Sequence, residues 1–262
     1  MRPTTAPMPD RLRDHAHAVA ARSHVPYVGP GVGAAVLLAD GRWVDAARIE
    51  VASFPLSIPA LQGALALALL ARTTVVAVAR STAFAPADLG VIAEAAGGSW
   101  HLAAPDLAVR DEADLPAVGD RVASVTEVGA LTAEAGAALA LEASRAAVVP
   151  ASDFPVGAAV VDEAGRVVLG ANVEVPTDWT RGLCAERTAL VAAVAAGLSP
   201  IRTLYVACVK APGGTPCGGC RQVIAELAPD CSVVLWRDGE TPDFTTPAAL
   251  LPGAFDGRAL GR

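Results

Sequence analysis

The chain alternates short, wholly apolar runs with longer stretches in which apolar residues recur at helical spacing, and it does so twice. In the first half, strand-like runs fall at 33–38, 43–49 and 74–79, and helices are predicted near 59–71 and 86–96. An amphipathic helix at 11–23 follows what reads as a loose tail over 1–10. In the second half, strand-like runs at 156–162, 166–172, 203–209 and 232–237 are interleaved with an alanine-rich helix at about 131–148 and two further helices. Those two cover 184–196, stopped by Gly197, and 218–228, with Pro229 beyond. The segment from Pro105 to Val118, with Asp111, Glu112, Asp114 and two prolines, reads as a linker. Such alternation places helices on both faces of a central sheet. The expected class is α/β, as two tandem α/β/α sandwich lobes over residues 1–120 and 121–262, each with a central mixed sheet flanked by helices.

The halves are also alike in sequence. At a shift of 124, Val32-Gly33-Ala34-Ala35-Val36 falls on Val156-Gly157-Ala158-Ala159-Val160, Gly41-Arg42 on Gly165-Arg166, and Glu50 on Glu174. The apolar stretch Leu61 to Ala71 falls on Ala185 to Ala195. With a slightly larger shift, Val91-Ile92-Ala93-Glu94 falls on Val223-Ile224-Ala225-Glu226. One fold written twice accounts for the preserved order.

Chemistry is concentrated in the second half. Cys184-Ala185-Glu186-Arg187 opens one predicted helix, and Pro216-Cys217-Gly218-Gly219-Cys220-Arg221 opens another. The histidines His15, His17, His24 and His101 all lie in the other half, so three local thiols stand without a fourth ligand. A structural zinc site closes with four protein ligands, whereas a catalytic one keeps a place for water. Helix N-termini favour thiolate over thiol. Glu186, two positions after a ligand, can reach a water held there without binding metal itself. The duplicated positions in the first half are Ala60 for Cys184, Gln62 for Glu186, Ala85 for Cys217 and Asp88 for Cys220. That half is expected to be catalytically inert.

These residues resemble the zinc-dependent cytidine deaminases, in the branch whose first ligand is Cys. Phe154-Pro155-Val156-Gly157-Ala158-Ala159, Asn172-Val173-Glu174 and the tail Leu250-Leu251-Pro252-Gly253-Ala254-Phe255 carry the same resemblance, over roughly residues 130 to 257. It implies Zn²⁺ held by Cys184, Cys217 and Cys220, with Glu186 moving protons during hydrolytic deamination of a cytosine ring. It further implies that Asn172 and Glu174 bind the ribose hydroxyls, that Phe154 packs on the base and that the Ala185 N–H meets the base carbonyl. Arg187 would offset the thiolate charge. As sequence alone, Asn172 and Glu174 equally suit a strand end, Phe154 a core position and Arg187 a surface ion pair.

The pattern departs from the family at one loop. Family members usually follow Asn-x-Glu with Asn-Ala-Ser-Tyr; here the run is Val175-Pro176-Thr177-Asp178-Trp179, while the first half reads Glu50-Val51-Ala52-Ser53-Phe54. The 50–54 loop is therefore expected to line an active site, in this chain or in a partner. The leading expectation is a cytidine and deoxycytidine deaminase of pyrimidine salvage. The altered loop leaves open a modified aminopyrimidine nucleoside, such as a nucleoside antibiotic, and a non-catalytic nucleoside-binding protein is the reading from another class. Two-lobed relatives imply a homodimer imitating a four-lobed tetramer.

Composition narrows the partners. Apolar residues make up 53% of the 262, and the net charge is −7, which disfavours a nucleic-acid partner. The apolar stretch at 58–79 is broken by Gln62, Gly63 and Arg72, which argues for a buried helix and strand and against a membrane span. Five cysteines, three of them in the site, make no disulfide framework, and Cys208 and Cys231 read as core residues. The absence of a signal-like segment fits a reducing, cytoplasmic compartment. His15, His17 and His24 read as surface or structural, and Gly29, Gly31 and Gly33 as a turn before a strand.

Overall fold

The computed structural model describes residues 8–122, 125–237 and 241–260. The first half comprises α1 (Met8–Ala20), β1 (Gly33–Leu38), β2 (Trp43–Ala47), α2 (Ala60–Leu70), β3 (Val75–Arg80), α3 (Asp88–Ala96), β4 (Trp100–Ala104) and β5 (Leu107–Arg110). The second comprises β6 (Thr126–Glu127), α4 (Ala133–Ser144), β7 (Gly157–Asp162), β8 (Arg166–Ala171), α5 (Ala185–Ala196) and β9 (Ile201–Ala207). It continues through α6 (Gly218–Leu227), β10 (Ser232–Trp236), β11 (Asp243–Thr245) and α7 (Pro247–Leu250). The helix expected at 11–23 already begins at Met8; residues 1–7 of the expected tail lie outside the described residues.

Both halves are α/β/α sandwiches, with sheet orders β2-β1-β3-β5-β4 and β11-β10-β9-β7-β8-β6. Duplication reaches the pairing itself. Ala34 faces Ala46 as Ala158 faces Gly170, and Ala34 faces Arg80 as Ala158 faces Val206. The same irregularity interrupts both ladders, between Leu37 and Leu38 and between Val161 and Asp162. A Cβ on Gly33 would stand 2.0 Å from the Ala16 carbonyl oxygen, and one on Gly157 would stand 1.9 Å from that of Ala140. Each glycine thus lets a helix lie directly on a central strand, α1 on β1 and α4 on β7.

After α3 the halves part. β10 runs parallel to β9, joined through α6, so the second sheet is mixed as expected. In the first half β5 occupies the corresponding place beside β3, antiparallel to it, and β4 forms the edge. Among the described residues every pairing of the first sheet is antiparallel, which corrects the expectation of a mixed sheet there. The expected linker at 105–118 is corrected with it, because Leu107, Ala108 and Val109 are buried strand residues. Their run does not alternate because both faces of β5 are covered.

α2 and α5 lie between the two sheets, and their residues form one continuous core with the inner faces of both. α2 is apolar nearly all round, as a helix enclosed on every side must be. Its buried Leu61, Leu65 and Leu67 each contribute roughly 1.5–3 kcal/mol. At Gly63 a Cβ would stand 2.9 Å from Val191 of α5, so the helices meet there almost backbone to side chain. α1 and α4 cover the outer faces. Among the described residues no helix is long and apolar enough to cross a membrane.

Candidate metal centre and active site

The core positions the chemistry. Cys184 is the N-cap of α5 and Cys217 the N-cap of α6, so both helices begin at a thiol. Cys220 lies one turn into α6 and is buried. Among the described residues these three form the one cluster of potential metal ligands, with their sulfurs all within 4.8 Å of one another. The Cys184 and Cys217 sulfurs are 3.7 Å apart.

The three thiols perturb one another. Hydrogen bonds from Cys184 and Cys220 hold the Cys217 thiol down at about 2. The same contacts push Cys184 up to about 11 and Cys220 well above the usual thiol range. The three sulfurs are thus in direct contact and share their protons. Tetrahedral zinc, with bonds of about 2.3 Å to sulfur, sets its thiolates about 3.8 Å apart. The Cys184–Cys217 spacing fits that geometry.

Glu186 is 4% exposed, and burial, before any neighbouring charge, raises its pKa. It lies on the wall of a cavity of about 300 Å³ together with Phe154, Asn172, Cys184, Ala185 and Cys217. Asn172 is engaged by the loop it borders: its Oδ1 accepts from the Val156 N–H at 2.8 Å and its Nδ2 donates to the Phe154 carbonyl at 2.9 Å. Glu174 is not on this wall. Its carboxylate accepts from the N–H groups of Ala151, at 3.0 Å, and Ser152, at 3.2 Å, and from the Ser152 hydroxyl. Glu50 accepts from the N–H groups of Tyr27 and Val28 in the duplicated place, so this use of the carboxylate belongs to the fold of both halves. Arg187 is half-buried and likewise off the wall, with its Nε shielded from solvent and unpartnered.

Sequence reasoning missed several wall residues. Cys208, read as core, lines the cavity, as do Val206 and Arg237; Cys231 is buried. Nothing local distinguished Cys208 from Cys231, since both stand beside apolar strands. Arg221 binds the Pro216 carbonyl at 2.7 Å and the Leu250 carbonyl at 3.0 Å, tying the tail to the metal-side loop. Gln222 donates to the Phe255 carbonyl. From the first half, Leu56 packs against Gly219, between the two thiols of α6, whereas Phe54 is 82% exposed and lines no part of its own chain's cavity.

Two family models, each described as the cytidine and deoxycytidylate deaminase zinc-binding region, match residues 132–235 and residues 2–96. A cytidine deaminase of Sporosarcina psychrophila is 41% identical over 116 residues, which span 84% of that protein and 44% of this chain. The chain belongs to the cytidine deaminase family. It is a two-lobed member, since a zinc-binding-region model matches each half. A cytidine deaminase of Halalkalibacterium halodurans is 42% identical over 120 residues, covering 88% of it and 44% of this chain. The crystal structure of the Burkholderia pseudomallei cytidine deaminase aligns at 40% identity and a TM-score of 0.46, covering 48% of this chain and all of that one. The cofactor of such a zinc-binding region is zinc, and the thiol cluster fits it in donor type and spacing.

Proposed function

We propose that the chain is a zinc-dependent hydrolase that converts cytidine and deoxycytidine to uridine and deoxyuridine with release of ammonia. The observation that carries this is a buried Glu186 on the same cavity wall as the thiol cluster, at the N-terminus of α5. Residues 121–262 form the catalytic lobe in this reading, with Cys184, Cys217 and Cys220 as the metal ligands, and residues 1–120 the non-catalytic one.

Zinc, when bound, supplies a Lewis acid that lowers the pKa of a water in its open position. Glu186 takes a proton from the attacking water, whose oxygen adds to C4 of the base. It passes that proton to N3, then takes a second from the new C4 hydroxyl and delivers it to the amine, so that the C4–N bond breaks, the carbonyl forms at C4 and ammonia leaves. A raised carboxyl pKa suits a group that must both accept and donate. The free Ala185 N–H at the start of α5 donates to the base carbonyl, and Phe154 covers the ring. Asn172 keeps a second amide hydrogen and a second lone pair for a ribose hydroxyl. Glu174 holds the 151–152 turn, and the Ser152 hydroxyl it binds also accepts from the Phe154 N–H, so it acts by positioning Phe154. Arg187 offsets the charge of the thiolates.

The exposed Phe54 supports a homodimer of four lobes, in which the 50–54 loop covers a pocket of the partner chain. Phe54→Ala should then raise KM and leave zinc content unchanged; an unchanged KM rejects that arrangement. We read the substrate as a free nucleoside, with neither nucleic acid nor membrane as partner, and the reaction as one of cytoplasmic pyrimidine salvage; the net charge of −7 supports the exclusion of nucleic acid. Ammonia release from cytidine and deoxycytidine by the zinc-loaded protein, with Glu186→Gln beside it, tests the reading. Absence of release from fully metallated protein overturns it.

A further inference from the structure

A second cavity, of about 340 Å³, lies where the duplication relates the first half to the thiol-bearing cavity. Subtracting the shift of 124 from Val156, Asn172, Cys184, Ala185 and Glu186 gives Val32, Arg48, Ala60, Leu61 and Gln62, and all five stand on its wall. Metal chemistry has gone from it, with Ala60 and Asp88 at the ligand positions. The space has not closed: at about 340 Å³ it is no smaller than the 300 Å³ of its counterpart.

The wall has changed sign. Arg48 stands in place of Asn172, and Arg80 in place of Val206, as the shared strand register requires. Arg181 enters from the second half, so the wall carries three guanidinium groups against one carboxylate, Asp88. Each cation has a counter-charge: Arg48 pairs with Glu50 at 2.7 Å, Arg80 with Asp88, and Arg181 with Glu94 at 2.6 Å and Asp178 at 3.1 Å. These pairs leave donors over. Glu50 is also held by the Tyr27 and Val28 N–H groups, and Asp88 by the Ala85 N–H at 2.6 Å. α2 starts at this wall without a side-chain cap, adding its first N–H groups to the donor set.

We propose that the vestigial cavity of the first lobe binds a phosphate-bearing ligand, with Arg48 and Arg80 as its principal contacts. The phosphate can belong to a nucleotide or be free in solution; both present the acceptor oxygens that guanidinium donors match.

The test uses the full zinc-loaded chain with saturating uridine present, titrated calorimetrically with inorganic phosphate and, separately, with uridine 5′-monophosphate. Saturable binding is expected, weakened roughly tenfold or more by Arg48→Met and by Arg80→Met and unchanged by Glu186→Gln. A nucleotide bound at least about tenfold more tightly than phosphate assigns the site to nucleotides, and equal affinities assign it to the free anion. Arg80→Met leaves Asp88 without its partner and could unfold the lobe. Arg48→Met therefore decides, because Glu50 keeps both of its backbone hydrogen bonds. No binding of either probe up to about 10 mM overturns the proposal, as does binding that a folded Arg48→Met protein retains in full. Binding is scored without turnover, so this result stands or falls apart from the deamination reading.

Discussion

The side-chain amide of Gln62 donates to the main-chain carbonyl of Arg181 at 2.9 Å. It also lies 3.2 Å from the Thr180 carbonyl, so the residue that duplicates Glu186 has become a brace between the lobes. It holds the turn that leads from Val175 to Cys184. Restoring the acid by Gln62→Glu would replace a donor with a carboxylate facing two carbonyls, at a cost of roughly 1–3 kcal/mol. Thermal melts should show the loss, and zinc content should not rise, because Ala60 and Ala85 still offer no ligand. A gain of bound zinc would contradict the account of the first lobe as inert.

Glu186→Gln preserves shape and hydrogen-bonding size but cannot hold a shuttled proton. kcat should drop by roughly 10²–10⁴-fold or more while zinc content and melting temperature stay near those of the parent. Turnover persisting in the variant would assign the proton transfers to another group.

Replacing Cys184, Cys217 or Cys220 singly with Ala should remove most of the metal and all activity, measured by atomic absorption beside ammonia release. Chelation of the parent should do the same reversibly, with a lowered melting temperature, because metal bound only by the folded state stabilises it. Full zinc retention in any one variant would exclude that thiol as a ligand.

Gly157→Ala would drive a methyl group into the Ala140 carbonyl and the Ser144 backbone, where neither partner is a flexible side chain. A loss of roughly 1–3 kcal/mol or more is expected in denaturant titrations, and a similar loss for Gly33→Ala in the duplicated place. Gly213, with nothing within 4 Å of its would-be Cβ, is the control and should accept Ala without effect.

Burial alone would raise the Glu50 carboxyl, but the Val28 and Tyr27 N–H groups and the Arg48 guanidinium outweigh it and hold its pKa below the usual carboxylate value. A carboxyl lowered on folding contributes stability above its unfolded pKa, near 4.5, and loses it as pH falls through the lower folded value. Glu50→Gln should therefore melt lower than the parent at neutral pH. Below about pH 4.5 the difference should shrink, because the variant has no such contribution to lose. Parallel melting curves at every pH would show that Glu50 stays unlinked to acid unfolding.

Much of this protein can be read along the chain. Apolar periodicity marks which residues face inward, so β1, β2, β7 and β8 and the helices α2, α5 and α6 appear within a few residues of their places. The shift of 124 and the Cys184, Cys217 and Cys220 spacing are local or periodic signals, and a helix N-terminus needs only a few neighbouring residues to declare itself. Other features depend on residues far apart in sequence, and only the tertiary structure decided them. The burial of Leu107 to Val109 shows that a segment rich in acids and prolines contains a strand, yet its antiparallel partner in β3 leaves no mark on the segment itself. Glu174 turns away from the cavity because two N–H groups, more than twenty residues upstream, compete for its carboxylate. Cys208, just past the end of β9, reaches the wall and Cys231, just before β10, the core, because each faces whatever the neighbouring layer supplies at that strand end. The basic cavity of the first lobe joins Arg48, Arg80 and Arg181 from separate elements, the last from the opposite lobe. Periodicity states that a face is covered; only folding in three dimensions chooses what covers it.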